Sequence, residues 1–341
     1  MDGLNGLTID LTLIWALIIA FGVFMYVLMD GFDLGVGILF PFAPNDEARD
    51  IMMNTVAPVW DGNETWLVLG GAGLLGAFPL VYSILLPALY LPILIMLAGL
   101  IFRGVAFEFR FKAKQSKFLW DISFTAGSMI ATFAQGIVLG MFIQGFAVEG
   151  TRYVGGAFDW VTPFSIMTGF GLMAGYALIG CSWIIMKTKG QVREWAYGQA
   201  PLLLGLVLTF IGLVSVWTPL MREAIAERWF TIPNLFYFMP VPVVTALLTV
   251  LMIHALRTRK DYVPFFCSMG LFLLCYTGLA ISLWPNVIQP DISLWDAAAA
   301  PNSQLFLLLG VLVTIPVILM YTTWTYWVFR GKVTRDSVGY H

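Results

Sequence analysis

The chain has 341 residues, of which 60% are hydrophobic and 11% are charged, and its formal net charge at pH 7 is −2. Soluble domains carry about 25% charged residues, so the composition excludes an ordinary soluble protein and indicates an integral membrane protein. A chain without a basic run offers no surface for nucleic acid. Length alone would suggest about two soluble domains, but in a membrane protein with many helices we expect a single integral membrane domain over 1–341.

Nine apolar segments follow one another along the chain, and each is close to the roughly 20 residues that a membrane-spanning helix requires. The N-terminal residues MDGLNGLTID lack the basic region and the cleavage site of a signal peptide, so the first segment is counted as a helix. No strand pattern interrupts the series. The sequence therefore predicts an all-α polytopic fold with helices at roughly 11–40, 51–77, 79–102, 122–147, 162–186, 199–220, 236–256, 263–284 and 303–329.

The lysines and arginines divide unevenly between alternate loops of these nine helices. Of the 18 such residues, all but Arg152, Arg222 and Arg228 fall in the loops of one set. Cytoplasmic loops carry the excess of lysine and arginine in membrane proteins. The pattern predicts an N-terminus outside the cell and a C-terminus in the cytoplasm.

Carboxylates lie inside the first two predicted helices, toward the predicted cytoplasmic side. Asp30 and Asp33 are three residues apart in the first helix, and Asp61 and Glu64 are three apart in the second. Residues at this spacing can share a helix face, and ionisable residues within a membrane usually face a cavity or a partner. Two interpretations stay open, namely a path for protons or cations from the cytoplasm and static pairing with Arg103 or with a cation of another subunit.

Trp60 stands beside Asp61 within the second predicted helix, away from the membrane boundaries where tryptophans commonly lie. A buried indole N–H requires an acceptor, so Trp60 either packs or orients the carboxylate. The chain has two histidines, His254 and the terminal His341. Because haem iron is held by histidine, methionine, cysteine or tyrosine, and a membrane b-type haem commonly takes two histidines, we expect no complete haem site and no metal site in this chain.

Several stretches resemble subunit II of the cytochrome bd-type quinol oxidases. The two longest are DGFDLGVG at 30–37 and APVWDGN at 57–63, and the shorter ones are Phe102 and Arg103 with Phe107, Trp120 with Asp121, LWDA at 294–297, and the run 316–326. The similarity covers both ends and most of the first half, whereas 150–285 is similar in topology only. The compact length is closer to the cyanide-insensitive branch of the family.

The resemblance implies a haem-free subunit of a bacterial respiratory enzyme in the cytoplasmic (inner) membrane. Such an oxidase oxidises quinol and reduces dioxygen to water, with haem b and haem d in subunit I. The implied fold is two four-helix bundles plus one peripheral helix. The implied partners are subunit I, small accessory membrane subunits and lipids, with a structural quinone as a further expectation.

The resemblance also implies that this subunit supplies part of the cytoplasmic proton path to the oxygen-reduction site. Asp61 is expected to be the main carrier, Asp33 a second carrier or an anchor of the network, and Trp60 the residue that orients Asp61.

Three further residues complete the predicted path. Arg103 is expected to pair with a carboxylate or to hold the subunit interface, and Glu108 is a weaker candidate. Glu64 stands where some members have a neutral residue, which argues against an obligatory role. Two alternatives to the proton path remain, namely a purely structural oxidase subunit and a stand-alone secondary transporter, although no internal repeat favours the transporter.

Overall fold

The computed structural model describes residues 10–334, so the terminal His341 lies outside the described residues. Within them the chain forms twelve α-helices and two short β-hairpins. The helices are α1 (Leu11–Leu39), α2 (Asp46–Val56), α3 (Trp60–Ala77), α4 (Pro79–Arg110), α5 (Lys117–Gln144), α6 (Pro163–Lys187), α7 (Gly190–Met221), α8 (Glu223–Phe230), α9 (Asn234–Phe238), α10 (Pro240–Arg257), α11 (Val263–Leu283) and α12 (Pro301–Val328). The antiparallel hairpins pair β1 (Val148–Glu149) with β2 (Arg152–Tyr153) and β3 (Asn286–Ile288) with β4 (Ile292–Ser293).

Eight segments of the described chain are helices long and apolar enough to cross a membrane. The all-α polytopic membrane fold predicted from the sequence is therefore confirmed. The predicted helix 51–77 has a different form, because it divides into α2 and α3 at residues 57–59. Pro58 explains the division, since proline has no backbone N–H to donate within a helix and its ring clashes with the carbonyl group four residues earlier.

Helix α4 extends past its predicted end at residue 102 and reaches Arg110. Two arginines that were predicted to lie in a loop, Arg103 and Arg110, are thus helical and fully buried. Buried cations are costly unless carboxylates neutralise them, and neighbouring helices provide these carboxylates.

The long helices form two groups of four. One group contains α1, α3, α4 and α5, the other contains α6, α7, α10 and α11, and the two meet where α6 packs against α1 and α5. Helix α12 contacts α3 and α1, and only Gln304 and Thr322 of its residues are buried. The arrangement matches two bundles with one peripheral helix.

Glycines of the 30–37 stretch allow α1 and α6 to approach closely. A Cβ atom at Gly31 would lie 2.8 Å from Cε1 of Tyr176, and one at Gly35 would overlap the carbonyl group of the same tyrosine. Small residues at such spacing let membrane helices come into backbone contact. The two glycines therefore place the carboxylates of α1 at the junction of the two bundles.

Contacts at one end of the bundles join the loops that hold most of the cations, and we call this the cation-rich end. Asn45, which caps α2, donates to Gln191 of α7 at 3.2 Å. Lys332, which follows α12, donates to Asp261 between α10 and α11 at 2.5 Å.

Contacts at the opposite, cation-poor end join the other set of loops. Trp295 donates to Asp10 at 2.8 Å, and Arg222 donates to the carbonyl oxygen of Gln144 at the end of α5. Arg228 likewise donates to the carbonyl oxygen of Ile281 at 3.1 Å. The structure therefore separates the loops into the two sets on which the predicted orientation rests.

Candidate functional site

Arg103 is the centre of a buried charged cluster between α1, α3 and α4. Its Nη1 atom donates to Oδ1 of Asp30 at 2.6 Å, and both side chains are fully buried. Its Nη2 atom donates to Glu64, whose side chain is 26% exposed. The guanidinium therefore binds one carboxylate from α1 and one from α3, and it ties three helices together.

Asp33 is fully buried beside this pair and has an amide rather than a cation as its partner. The Nδ2 atom of Asn63 donates to Oδ2 of Asp33 at 2.7 Å and to the carbonyl oxygen of Met29 at 3.3 Å. The hydroxyl group of Tyr326, on α12, donates to Oδ1 of Asn63 at 2.9 Å. A hydrogen-bonded chain thus runs from the peripheral helix to the carboxylate of Asp33.

The carboxylates of α1 lie inside that helix rather than at its end. Asn63 is level with Met29 and Asp33 of α1, a helix that continues to Leu39. Six residues of α-helix correspond to about 9 Å. The carboxylates are therefore separated from the cation-rich end by more than one turn of α1.

The charges within this cluster do not balance. Asp30, Asp33 and Glu64 face a single guanidinium, that of Arg103, among the described residues. Oδ2 of Asp30, Oδ1 of Asp33 and Nε of Arg103 are buried and have no hydrogen-bond partner in the described part of the chain. We call these four residues the Arg103 cluster, and its free acceptor atoms can take up protons or bind water.

Asp61, the predicted main carrier, lies apart from the Arg103 cluster. It is exposed on the first turn of α3, and its carboxylate forms no ion pair within residues 10–334. The side chain points away from the bundle at nearly the depth of Asn63. In a membrane this surface faces either lipid or another protein chain.

Trp60 packs between Arg103 and an aromatic residue of α4. Its ring stacks on Phe107 with centroids 5.1 Å apart and an interplanar angle of 12°, and the guanidinium carbon of Arg103 is 5.9 Å from the ring centroid. No hydrogen bond joins its indole to Asp61 in the described structure. These contacts favour the packing interpretation of Trp60.

Glu108 makes no contact with the Arg103 cluster among the hydrogen bonds and ion pairs of the described residues. It forms an ion pair with Lys112 at 3.5 Å on the surface of α4, where the two side chains are 57% and 78% exposed. An i,i+4 pair of this kind is screened by solvent and contributes little.

Sequence reasoning did not select Asn63, Tyr326 or Asp30 as site residues. Asp30 had a signal, namely its spacing from Asp33, but Asn63 is an uncharged residue within a motif, and Tyr326 is 263 positions from it.

A second series of hydrogen bonds lies beside the cluster. Tyr176 donates to Gln135 at 2.9 Å, and Gln135 donates to Tyr26 at 2.7 Å.

A second buried arginine of α4 has a different environment. Arg110 donates to Asp50 of α2 at 2.6 Å and to Asp121 of α5, and Lys117 also donates to Asp50 at 2.9 Å. The guanidinium lies 5.0 Å from the ring of Phe40. We call Arg110, Asp50, Asp121 and Lys117 the Arg110 cluster, and its two cations balance its two carboxylates.

Metal-binding groups do not converge within residues 10–334, where no set of three or more histidine, cysteine, aspartate and glutamate side chains could hold an ion. His254 is exposed on α10. A cavity of about 360 Å³ lies between α4, α5 and α6, with Ile95, Phe133 and Met173 among its lining residues, and its surface is apolar. This lining suits a hydrocarbon chain but offers no polar partner to a quinone ring.

Known proteins are similar to this chain along nearly its whole length. The family described as "Cytochrome bd terminal oxidase subunit II" matches residues 11–329. The chain is 27% identical to "Cytochrome bd-I ubiquinol oxidase subunit 2" of Escherichia coli strain K12, over 96% of each chain. It is 26% identical to "Cytochrome bd ubiquinol oxidase subunit 2" of Bacillus subtilis strain 168, over 95% of this chain and 97% of the relative.

The fold also matches a solved structure. A chain of the bd oxidase from Geobacillus thermodenitrificans superposes with a TM-score of 0.76 and 17% sequence identity, and the match covers 94% of this chain and 99% of the other. At this identity the likeness concerns the fold.

Proposed function

Since the chain belongs to the family of cytochrome bd terminal oxidase subunit II, we propose that it supplies part of the path by which cytoplasmic protons reach the oxygen-reduction site of a quinol oxidase. Membership of the family makes it a multi-pass subunit of a respiratory oxidase in the bacterial inner membrane, with a haem-bearing subunit I as its partner. The reaction assigned to the complex is oxidation of quinol by dioxygen to give quinone and water. This subunit contributes no haem ligand.

The observation that carries the proposal is the excess of buried carboxylates in the Arg103 cluster. Removing an uncompensated charge from water is costly, and a buried carboxylate without a cation is neutralised by a proton instead. Ionisable groups of this kind within membranes mark proton relays. The three carboxylates and one guanidinium therefore form a place that stores a proton inside the membrane.

The residues of the cluster take different roles in this proposal. Asp30 and Arg103 form a fixed ion pair, because both are fully buried and directly bonded. Asp33 is the carrier, since it has no cation and one of its oxygens is free of hydrogen bonds within the described chain. Glu64 joins the pair to the surface of α3, because it is bonded to Arg103 and is partly exposed.

Asp61 is assigned to the contact with subunit I. An exposed carboxylate at membrane depth requires a partner, and the described chain provides none. We assign that partner to subunit I, so that Asp61 passes protons across the interface and Trp60 supports the first turn of α3 through its stacking on Phe107. Asp61 and the Arg103 cluster are then successive parts of one path, joined by Glu64 in the same helical turn.

The cation-rich end is assigned to the cytoplasm, with the N-terminus outside and the C-terminus inside. The excess of lysine and arginine in its loops supports this orientation. Reporter fusions after Lys117, Arg193 and Lys260 should then read cytoplasmic, and a fusion near Asp291 should read external. The opposite readings at any two of these positions would contradict the assignment.

A structural quinone and small accessory subunits remain part of the proposal inherited from the family. The apolar lining of the cavity between α4 and α6 supports binding of a quinone tail or a lipid chain there, and no proton step is routed through it.

A purely structural role for the Arg103 cluster is the alternative favoured by one observation, the direct and fully buried pair of Arg103 and Asp30. Under this alternative the carboxylates only hold α1, α3 and α4 together. Their neutralisation would then reduce assembly of the oxidase and leave the turnover of each assembled complex unchanged.

Substitution of Asp61 in the complete oxidase tests whether Asp61 passes protons across the interface. Asp61→Asn keeps the shape of the side chain but removes its titratable proton. We expect full haem content and at least about a tenfold loss of quinol-driven oxygen uptake, which corresponds to about 1.4 kcal/mol in the barrier. Asp61→Glu should keep more activity because it still titrates.

Glu194→Gln is the matched control, because Glu194 is an exposed residue paired with Arg259, and it should leave oxygen uptake unchanged. Full turnover with full haem content in Asp61→Asn would contradict the transfer of protons through Asp61. Equal losses in the Asn and Glu variants would indicate packing instead.

A further inference from the structure

A small cavity lies between α3 and α12, next to the hydrogen-bonded chain that ends at Asp33. Its volume is about 10 Å³, and its lining includes the polar residues Asn63, Thr322, Thr325 and Tyr326. A cavity must have about 10–15 Å³ of such volume and two to four polar partners to hold one water molecule. The space and its lining meet both conditions.

Thr322 is the residue that distinguishes this cavity from ordinary helix packing. It is only 9% exposed, and its hydroxyl group is buried without a hydrogen-bond partner among residues 10–334. Threonines in helices usually donate to the carbonyl group four residues earlier, as Thr314 and Thr325 of the same helix do at 2.9 and 3.0 Å. The Thr322 hydroxyl makes no such bond, and Thr322 is one of the residues that line the cavity.

The other two polar groups have hydrogen-bonding capacity to spare. Asn63 uses its amide hydrogens for Asp33 and for the carbonyl oxygen of Met29, while its Oδ1 atom accepts a single bond, from Tyr326. A carbonyl oxygen has two lone pairs, and a tyrosine hydroxyl that donates can still accept. One water molecule can therefore accept from Thr322 and donate to Asn63 and Tyr326.

We propose that this cavity binds one water molecule held by Thr322, Asn63 and Tyr326, and that Thr322 is a positioning residue for Asp33. The water fixes the amide of Asn63, and that amide in turn holds one oxygen of the Asp33 carboxylate. The position of the water follows from the cavity alone, whereas its effect on turnover rests on the proposed role of Asp33. Helix α12, which buries little else, thereby reaches the proton-storing cluster.

The test is a high-resolution electron-microscopy map of the complete oxidase, compared with maps of Thr322→Val and Thr322→Ser. We expect water density in the cavity of the unaltered protein and of Thr322→Ser, and loss of this density in Thr322→Val, which has the same shape but no hydroxyl. Thr314→Val is the matched control, because the Thr314 hydroxyl bonds only its own helix, and it should keep the density.

Infrared spectroscopy of the same variants tests the positioning role. The carboxyl band of Asp33, identified by its loss in Asp33→Asn, should shift in Thr322→Val, return in Thr322→Ser and stay in place in Thr314→Val. Quinol-driven oxygen uptake should fall in Thr322→Val and recover in Thr322→Ser.

Three results would overturn the proposal or one of its parts, and a fourth would reject the proposed function only. Lack of density in a map that resolves other buried waters, or unchanged density in Thr322→Val, would reject the water site. Loss of the density without a shift of the Asp33 band would reject the positioning role. Full turnover in Asp33→Asn would reject the proton path but not the water site or the positioning role. The water density and the infrared band of Asp33 are measured independently of turnover.

Discussion

Arg103 and Arg110 are two arginines of one helix that have different functions. They are seven residues apart, which places them on the same face of α4 at a separation of about 10 Å, and both side chains are fully buried. Each binds one carboxylate from each of two other elements of the fold. Their geometry is thus alike, and the difference lies in the charge of their surroundings.

The Arg110 cluster is neutral by composition, because Lys117 adds a second cation to the two carboxylates. The Arg103 cluster has three carboxylates for one cation, and Asp33 is left without a charged partner. A balanced buried cluster holds elements together and has no reason to exchange protons. An unbalanced one approaches neutrality only by binding protons, so the difference separates a structural ion-pair network from a site for proton transfer.

The largest effect is expected from Arg103→Met. The substitution leaves the buried Asp30 and Asp33 and the partly exposed Glu64 without a cation, and loss of one partner from a buried pair typically costs about 3–5 kcal/mol. We expect little assembled oxidase, measured as haem content of the purified complex. Arg103→Lys should assemble better because it keeps the charge, and normal assembly of Arg103→Met would contradict the account.

Arg110→Met is expected to be less severe. Lys117 remains to neutralise Asp50, so the cost should be closer to the about 1–3 kcal/mol of an unsatisfied buried polar group. The melting temperature of the complex should fall while its turnover per haem stays the same. A loss of turnover without a loss of stability would assign the Arg110 cluster to the proton path.

The two clusters can be compared directly by removing one carboxylate from each, with Asp33→Asn and Asp50→Asn. Asp33→Asn should lower oxygen uptake at least about tenfold with haem retained, which corresponds to about 1.4 kcal/mol in the barrier. Asp50→Asn should reduce thermal stability alone. Equal effects of the two substitutions on turnover would remove the distinction between the clusters.

A smaller effect is expected from pH on the stability of the cation-rich end, outside the membrane-spanning helices. Burial raises the pKa of Asp261, but Lys332, Tyr197 and Arg193 outweigh it and hold that pKa below its ordinary value of 3.8. The contribution of this carboxylate to stability is therefore complete above pH 3.8 and is lost as the pH falls through the lower folded value.

Hydrogen exchange at Val333 reports this contact, because its amide donates to the carbonyl oxygen of Lys187 at 2.7 Å. Protection should be constant between neutral pH and about pH 5 after correction for intrinsic exchange, and it should decrease only at lower pH. Asp261→Asn should remove the acid-dependent part. A loss of protection near neutral pH would implicate a different group.

Glu108→Gln should have the smallest effect. The side chain is exposed and pairs only with Lys112, and pairs of this kind contribute about 0–1 kcal/mol. Turnover and melting temperature should both be unchanged. A loss of oxygen uptake would place Glu108 in the proton path, contrary to its exposed position and its pairing with Lys112.

The apolar segments predicted the fold because the backbone polar groups of a membrane-spanning segment must form hydrogen bonds within that segment, as they do in a helix. They did not predict the division at Pro58, because hydropathy does not register a backbone turn. They also placed Arg103 in a loop, since a cation in apolar sequence indicates a helix end unless its partners are known. Those partners, Asp30 and Glu64, come from other helices.

The site was predictable where residues share a helix and unpredictable where helices meet. Asp61 and Glu64 were expected on one face, yet three residues of α-helix turn by about 300°. The remaining offset of about 60° leaves Asp61 exposed while Glu64 reaches Arg103. The hydrogen bond from Tyr326 to Asn63 joins α12 to α3, and no local sequence pattern predicts such a contact.

Infrared difference spectroscopy of the oxidase in H₂O and D₂O tests the central claim most directly, because it detects a protonated carboxyl group as such. We expect a protonated-carboxyl band that shifts on deuteration, disappears in Asp33→Asn and persists in Asp50→Asn. Absence of an exchangeable band from the unaltered oxidase, or a band that survives in Asp33→Asn, would contradict the claim that the Arg103 cluster stores a proton at Asp33.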